Sequence, residues 1–263
     1  MSTWENFEID CTNHLNNKFS KYASFKHQGG ANSTVPDILV TTTSGRRFYI
    51  EAKHSPAQCG QFVLLPDLRN GVFKYSSGNT KSIDDYSRAI MAHMNNDFDG
   101  FREAGTKGKD IIMENRQGIF SNWIINYYKS KNVGFIITNN YIIFPVENIA
   151  DYFYITAKYR IKRSGSAEVG VKNLKSVSDH IRTLNYAINE IHFDNAKLFV
   201  SSPQQLHDLR FIFDGNEYMF SRRNNEYELR RLSNTYNANV IFLVDLKSPV
   251  RGISDDDFIS ALR

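Results

Sequence analysis

Apolar positions change their period along the chain, and each change predicts an element. Trp4, Phe7, Cys11 and Leu15 recur at intervals of three and four, the spacing of one helix face. A polar, glycine-bearing stretch, FKHQGGANST, separates this helix from two strand-like runs, DILVTT and RRFYIEAK, which are joined by the turn residues TSG. The next segment, SPAQCGQFVLLPDLRNG, is punctuated by Pro and Gly and predicts turns. Residues 81–103 predict a mainly helical stretch, because Ile83, Tyr86, Ile90, Met94 and Phe98 repeat near the helical period. SNWIINYYKSK predicts a helix with Ser121 as its N-cap. VGFIITN and YIIFPV predict strands turning at Asn139 and Asn140, and ENIADYF predicts a short closing helix. That order predicts one mixed α/β domain over residues 1–155.

Beyond it the pattern shifts. KYRIKRSGS predicts a basic strand running into a Gly/Ser turn, and KSVSDHIRTLNYAI predicts a helix. The short alternating runs KLFVSS, LRFIFDG, NEYMFSRR, EYELRRL and NVIFLVDL predict a mainly β region over 156–263, with room for two small sheets. The chain has no internal repeat and no low-complexity tract. Its class is therefore α+β, a mixed-sheet domain followed by a β-rich one.

Composition narrows the function classes. At 263 residues, with 41% apolar and 13% aromatic side chains, the chain can bury a sizeable core. A formal charge of +4 suits a polyanionic partner. Cys11 and Cys59 have no CxxC spacing and predict buried free thiols. The histidines form no HxxxH or HxH pair, so zinc is unsupported. No apolar run is long enough to span a membrane and MSTWENFEIDC is not a signal peptide, so the expectation is a cytoplasmic protein.

The hairpin at 35–55 carries the chemistry. If Thr43, Ser44 and Gly45 form a three-residue loop with Gly45 in the left-handed position, Thr42 faces Arg46 and, counting back, Asp37 faces Glu51. Opposed antiparallel residues hold their Cβ atoms about 4.5–5.5 Å apart, close enough for two carboxylates to share one hard cation. Lys53 shares the face of Glu51, whereas Phe48, Ile50 and Ala52 form the opposite, core-facing side. Two such acids repel unless a divalent ion neutralises them, and Mg²⁺ held there would polarise a phosphoryl oxygen while Lys53 acts as base or charge stabiliser. The same residues also fit a solvated hairpin face on which Lys53 pairs with Glu51, and a motif this short does not separate the two.

Other groups invite the same comparison. Glu8, beside the apolar stripe of the first helix, is placed to reach such an ion through water or to be an ordinary surface acid. Gln58 and Gln61 follow Lys53 and line either the site or a turn. AGTKGK, 104–109, offers glycine amides with Lys107 and Lys109, a phosphate-clamp chemistry, though it lacks the Ser or Thr of a Walker loop. In KYRIKRSGS, Lys158, Arg160 and Lys162 share one strand face, with Tyr159 and Ile161 on the other, and the row also fits a charged edge strand. RRNNEYELRRLSNTYNAN adds Arg222, Arg223, Arg230, Arg231, Asn234 and Asn237, suited to base edges or phosphates.

PD at 36–37 with EAK at 51–53 resembles the signature of the PD-(D/E)xK nuclease superfamily. EAKHSPAQCGQFVLLP, AGTKGK, NWIINYYKSK, YRIKRSGS and LSNTYNANVIF together resemble the HhaI-type family of Type II restriction endonucleases, across both halves of the chain. The resemblance implies a bacterial Mg²⁺-dependent enzyme that cuts double-stranded DNA within GCGC and leaves 5'-phosphates. It implies Asp37 and Glu51 as metal ligands, with Glu8 and Gln61 as further candidates near the ion, and Lys53 as the catalytic base or stabiliser. The DNA-contacting candidates are Lys107, Lys109, Tyr159, Arg160, Lys162, Arg163, Ser164, Ser166 and Asn234. A cognate methyltransferase belongs to such a system without direct contact, and the single acid-acid-lysine constellation predicts a monomer. A structure-specific nuclease of the same superfamily and a DNA-binding module without activity are the competing expectations.

Overall fold

Cys11, Leu15 and Phe19 fall four residues apart on helix α1 (Thr3–Phe19), so they share one stripe, and all three are shielded from water. The structure is a computed structural model and describes residues 3–28, 35–163, 165–234 and 236–263. The stripe packs on a mixed sheet that begins with β1 (Ala23–His27), β2 (Ile38–Thr42) and β3 (Arg47–Lys53). Alternation sends Phe48, Ile50 and Ala52 of β3 into the core beneath α1, as predicted, and Ile38 and Val40 of β2 join them.

The segment predicted as turns is instead a long strand, β4 (Ala57–Asp67), hairpinned to β5 (Val72–Tyr75). Its Pro and Gly occupy special places. Gly60 has φ +92° at a bulge, and Pro66 lies in the hairpin arm near the turn to β5. The helical prediction over 81–103 resolves into α2 (Asp85–Asn95) and α3 (Phe98–Arg102). A reciprocal cap starts α2, with Ser87 N–H donating to Asp84 Oδ1 (2.8 Å) and Asp84 N–H to Ser87 Oγ (3.0 Å).

After the short β6 (Lys109–Asp110), helix α4 (Arg116–Ser130) begins earlier than predicted. Ser121 is buried inside it and donates to Gly118 O at 3.0 Å, so it is not the N-cap. β7 (Val133–Thr138), β8 (Ile142–Pro145) and α5 (Ile149–Tyr152) follow, with β7 parallel to β3, giving the order β1-β2-β3-β7-β8. The chain then leaves along β9 (Phe153–Arg163).

Residues Ile161–Asn237 form a compact unit of their own. β10 (Ser166–Ala167), α6 (Leu174–Thr183), β11 (Glu190–Asp194), β12 (Lys197–Ser201), β13 (Arg210–Phe213), β14 (Asn216–Arg223) and β15 (Glu226–Leu232) build it. One sheet runs β11-β12-β15-β14-β13 with β10 along β15, and Val177 and Ile181 of α6 meet Leu198, Val200, Phe220 and Leu229 in its core.

The expected division at 155 does not describe the chain. β16 (Tyr236–Leu246) and α7 (Asp255–Leu262) return to the first unit, which comprises Met1–Arg160 and Ala238–Arg263. β16 lies between β4 and β9 in a second sheet, β5-β4-β16-β9-β6. Its near-continuous apolar run marks a strand covered on both faces, the reason it sits centrally and not in a separate β domain. Helix α4 is packed in the core joining the two sheets, with Trp123 stacked on Phe242 at 4.3 Å, while Phe258 and Leu262 of α7 close the core under α1. Among the described residues no helix is long and apolar enough to cross a membrane.

Candidate active site

The β2–β3 hairpin has the predicted register. Gly45 has φ +86°, Thr42 N–H donates to Arg46 O (3.0 Å), and the last ladder pair is Ile38–Ile50. One step further on, Asp37 comes across from Glu51, and Asp37 Oδ2 accepts the Ala52 N–H at 2.9 Å. Lys53 Nζ lies 2.8 Å from Glu51 Oε1 and 3.9 Å from Asp37 Oδ2. All three side chains are 12–15% exposed and line one cavity of about 710 Å³.

Burial and then the Glu51 charge push the Asp37 carboxyl up to about 7, against the pull of Lys53. Burial alone would lower the Lys53 ammonium, but Glu51 and Asp37 beside it hold it above its ordinary value. The cluster thus carries two acids and one firmly protonated amine. Among the described residues no group of three or more His, Cys, Asp and Glu side chains is arranged to hold a metal. Asp37 and Glu51 are nevertheless hard oxygen donors facing a roomy polar cavity, which fits a divalent ion such as Mg²⁺ that keeps several waters.

Neighbouring elements buttress this set. Glu8 is buried on α1, lines the cavity and lies 2.9 Å from His27 Nε2, so the surface-acid reading is corrected. Behind Lys53, Thr138 Oγ1 donates to its carbonyl (2.6 Å), while Asn139 accepts the Ser55 N–H (2.9 Å) and donates to Ser55 O (3.2 Å). These bonds anchor the strand end that carries the amine. Against β16, Cys59 and Gly60 together oppose Phe242, so the bulge breaks alternation on β4. Gln58 and Gln61 consequently both reach the cavity, where Gln58 Nε2 donates to Gln61 Oε1 at 3.2 Å. A Cβ on Gly60 would stand 2.9 Å from the Trp123 ring, so only glycine suits this bulge. From α4, the Tyr128 hydroxyl donates to Glu51 Oε1 at 3.3 Å.

No protein-family model and no curated protein matches the chain. It is similar to a solved structure of HhaI endonuclease in complex with DNA, at 36% identity over 99% of each chain and a TM-score of 0.83. The chain belongs to the HhaI-like family of Type II restriction endonucleases. It is accordingly a site-specific endonuclease, a class that works with a divalent metal.

The remaining candidates of this HhaI-like chain separate by environment. AGTKGK and KYRIKRSGS, distant in sequence, are adjacent in space: β6 pairs with β9 through Lys109–Tyr159 and Asp110–Lys158. Gly108 makes this approach possible, since a Cβ there would lie 2.8 Å from Arg160 Cβ. Tyr159 is not available for contact. Its ring is fully buried against Phe73 and Phe101, because alternation along β9 turns it inward from Lys158 and Arg160. Lys109 is paired with Asp97, whereas Lys107 is exposed and Arg160 has no ion pair among the described residues. In the second unit Arg163 binds Glu217 and the Tyr236 hydroxyl, Ser166 accepts from Arg230 (3.3 Å), and Asn234 is exposed. Ser164 and the Lys162 side chain lie outside the described residues.

Sequence reasoning missed Tyr128, Thr138, Asn139 and two lysines of the cavity wall, Lys81 and Lys131. Ile124 and Tyr128 share a helical face with the core, so spacing alone reads Tyr128 as packing.

Proposed function

We propose that the chain hydrolyses phosphodiesters of double-stranded DNA in a Mg²⁺-dependent, sequence-specific reaction, within GCGC, leaving 5'-phosphates. The observation that carries this reading is the convergence of Asp37, Glu51 and Lys53 on one cavity. The DNA held by the solved relative supports the partner.

Asp37 and Glu51 are the residues to hold the metal. A divalent ion there supplies Lewis-acid polarisation of a phosphoryl oxygen and a lowered pKa for water. Asp37 sheds its proton before it can serve as ligand, and the Ala52 N–H steadies the resulting carboxylate. Lys53 Nζ, protonated while both acids are uncompensated, gives up its proton more readily once their charge is neutralised. It then orients or deprotonates the attacking water, and as ammonium it stabilises charge gathering at phosphorus. Glu8 and Gln61 also line this space.

Recognition falls to the second unit and the basic end of β9, with Arg160, Lys107, Ser166 and Asn234 as the contacts. With one site per chain and a second unit large enough to embrace a short site without a symmetric partner, the enzyme acts as a monomer that nicks the two strands in turn. A cognate methyltransferase protects the host without binding this protein. The test is digestion of a plasmid and of a duplex with one GCGC, with Mg²⁺ and with EDTA, followed by sequencing of the ends. Discrete metal-dependent fragments with 5'-phosphate ends at GCGC support the reading. Smearing, or cutting only at branched substrates, overturns it.

A further inference from the structure

Glu51 receives two donors on the same oxygen. Lys53 Nζ is 2.8 Å from Oε1 and the Tyr128 hydroxyl is 3.3 Å from it, while among the described residues Oε2 takes no hydrogen bond. The two donors differ in kind. Lys53 is a flexible stem whose charge the reaction uses elsewhere. Tyr128 is a rigid ring, 1% exposed, packed within α4 between the two sheets.

The phenol is itself held. Cys59 Sγ lies 3.2 Å from the Tyr128 hydroxyl, on the bulge of β4. With the hydroxyl donating to Glu51, the thiol is left to donate to the phenol oxygen, so a directional row runs Cys59, Tyr128, Glu51. Burial of a tyrosine does not by itself enforce such pairing in this core. Tyr159, equally buried in the same cluster, leaves its hydroxyl without a hydrogen-bond partner among the described residues.

We propose that Tyr128 is a positioning residue for metal binding: it holds Glu51 Oε1 from α4 so that Oε2 is the oxygen offered to the divalent ion. The inference rests on the reading of Asp37 and Glu51 as ligands. When Lys53 turns toward the phosphate, Tyr128 remains as the donor that keeps the carboxylate in place. Outer partners of this kind typically change metal affinity about 10–100-fold when removed.

The experiment uses full-length wild type, Tyr128→Phe, Cys59→Ala and Asp37→Asn without DNA, titrated with Mg²⁺ and Mn²⁺ by calorimetry and by thermal melting. Cleavage at saturating Mg²⁺ is measured alongside. Tyr128→Phe is expected to weaken metal binding about tenfold while kcat at saturating metal stays within about threefold. Cys59→Ala is expected to move affinity the same way by less, and Asp37→Asn to lose binding. Wild-type affinity in Tyr128→Phe, with or without a lower Tm, overturns the inference while the loss in Asp37→Asn leaves the metal reading standing. Undiminished binding in Asp37→Asn overturns the metal reading itself. Should Tyr128→Phe not fold, Cys59→Ala decides by the same titration, and unchanged affinity there overturns the inference.

Discussion

Lys53 Nζ sits 2.8 Å from Glu51 Oε1, two residues away on one face of one strand, and 3.9 Å from Oδ2 of Asp37, the residue just before the partner strand. A single hairpin register therefore assembles the whole constellation. Truncating Asp37 or Lys53 to alanine is expected to lower cleavage by at least about 10³-fold, the scale of losing a group that acts on the reacting centre. Duplex binding and a cooperative melt should persist, because neither side chain enters the core. Gel shift, melting and plasmid cutting on the same preparations check this, and retained cutting refutes the assignment.

The acid pair also makes a prediction about pH. Because the folded Asp37 carboxyl is raised from 3.8 to about 7, folding favours its protonated form. The associated stability is present in acid and is lost as pH rises through about 7. Metal-free Asp37→Asn is therefore expected to exceed wild type by about 2–4 kcal/mol at pH 8, the gap closing toward pH 4. Denaturant melts in EDTA across that range measure it, and a gap that widens in acid contradicts the electrostatics.

Metal addition should act in the same window. At 100-fold excess over its dissociation constant a ligand specific to the folded state stabilises by about 2.7 kcal/mol, so Mg²⁺ should raise Tm at pH 8 and EDTA should reverse it. Near pH 4, with Asp37 protonated, the rise should disappear. A Tm indifferent to Mg²⁺ at both pH values speaks against the pair as ligands.

Legibility in the sequence followed locality. The hairpin register was readable because a three-residue loop with Gly45 at its end fixes it within a dozen residues. β4 was not, because its glycine marks a bulge whose partner, β16, lies some 180 positions away along the chain, as the pairing of Gln61 with Ile241 shows. Tyr159 lies among basic neighbours in sequence, yet alternation along its strand turns it inward. Tyr128 had no local signal, since its role depends on which strand α4 happens to cover.

The arginines divide by whether they have partners. Arg160 has no ion pair among the described residues, so Arg160→Ala is expected to cost about 1–3 kcal/mol of cognate binding and to relax specificity at one base pair. An unchanged ratio of cognate to non-cognate affinity would show that it does not read bases. Arg230, paired with the buried Glu228, should behave differently. Its removal leaves a carboxylate 5% exposed with only Arg223, and is expected to lower Tm before it alters specificity.

A monomer with one active site predicts sequential nicking. On supercoiled plasmid, open circle should accumulate before linear DNA, at a rate first order in enzyme. Direct conversion to linear, with a dimer mass in solution, contradicts a monomer.

The return of β16 to the middle of the second sheet sets an order of events during synthesis. A chain interrupted before Ala238 has β4 and β9 but nothing between them, and Trp123, Phe62 and Phe120 lack the ring of Phe242. The bulge that sends Gln58 and Gln61 to the cavity and sets Cys59 beside Tyr128 has no strand to form against. Fragments released early by the ribosome therefore carry the acids and the lysine without the framework that aligns them. Cleavage is therefore expected of a chain that includes β16 and not of one that stops before it.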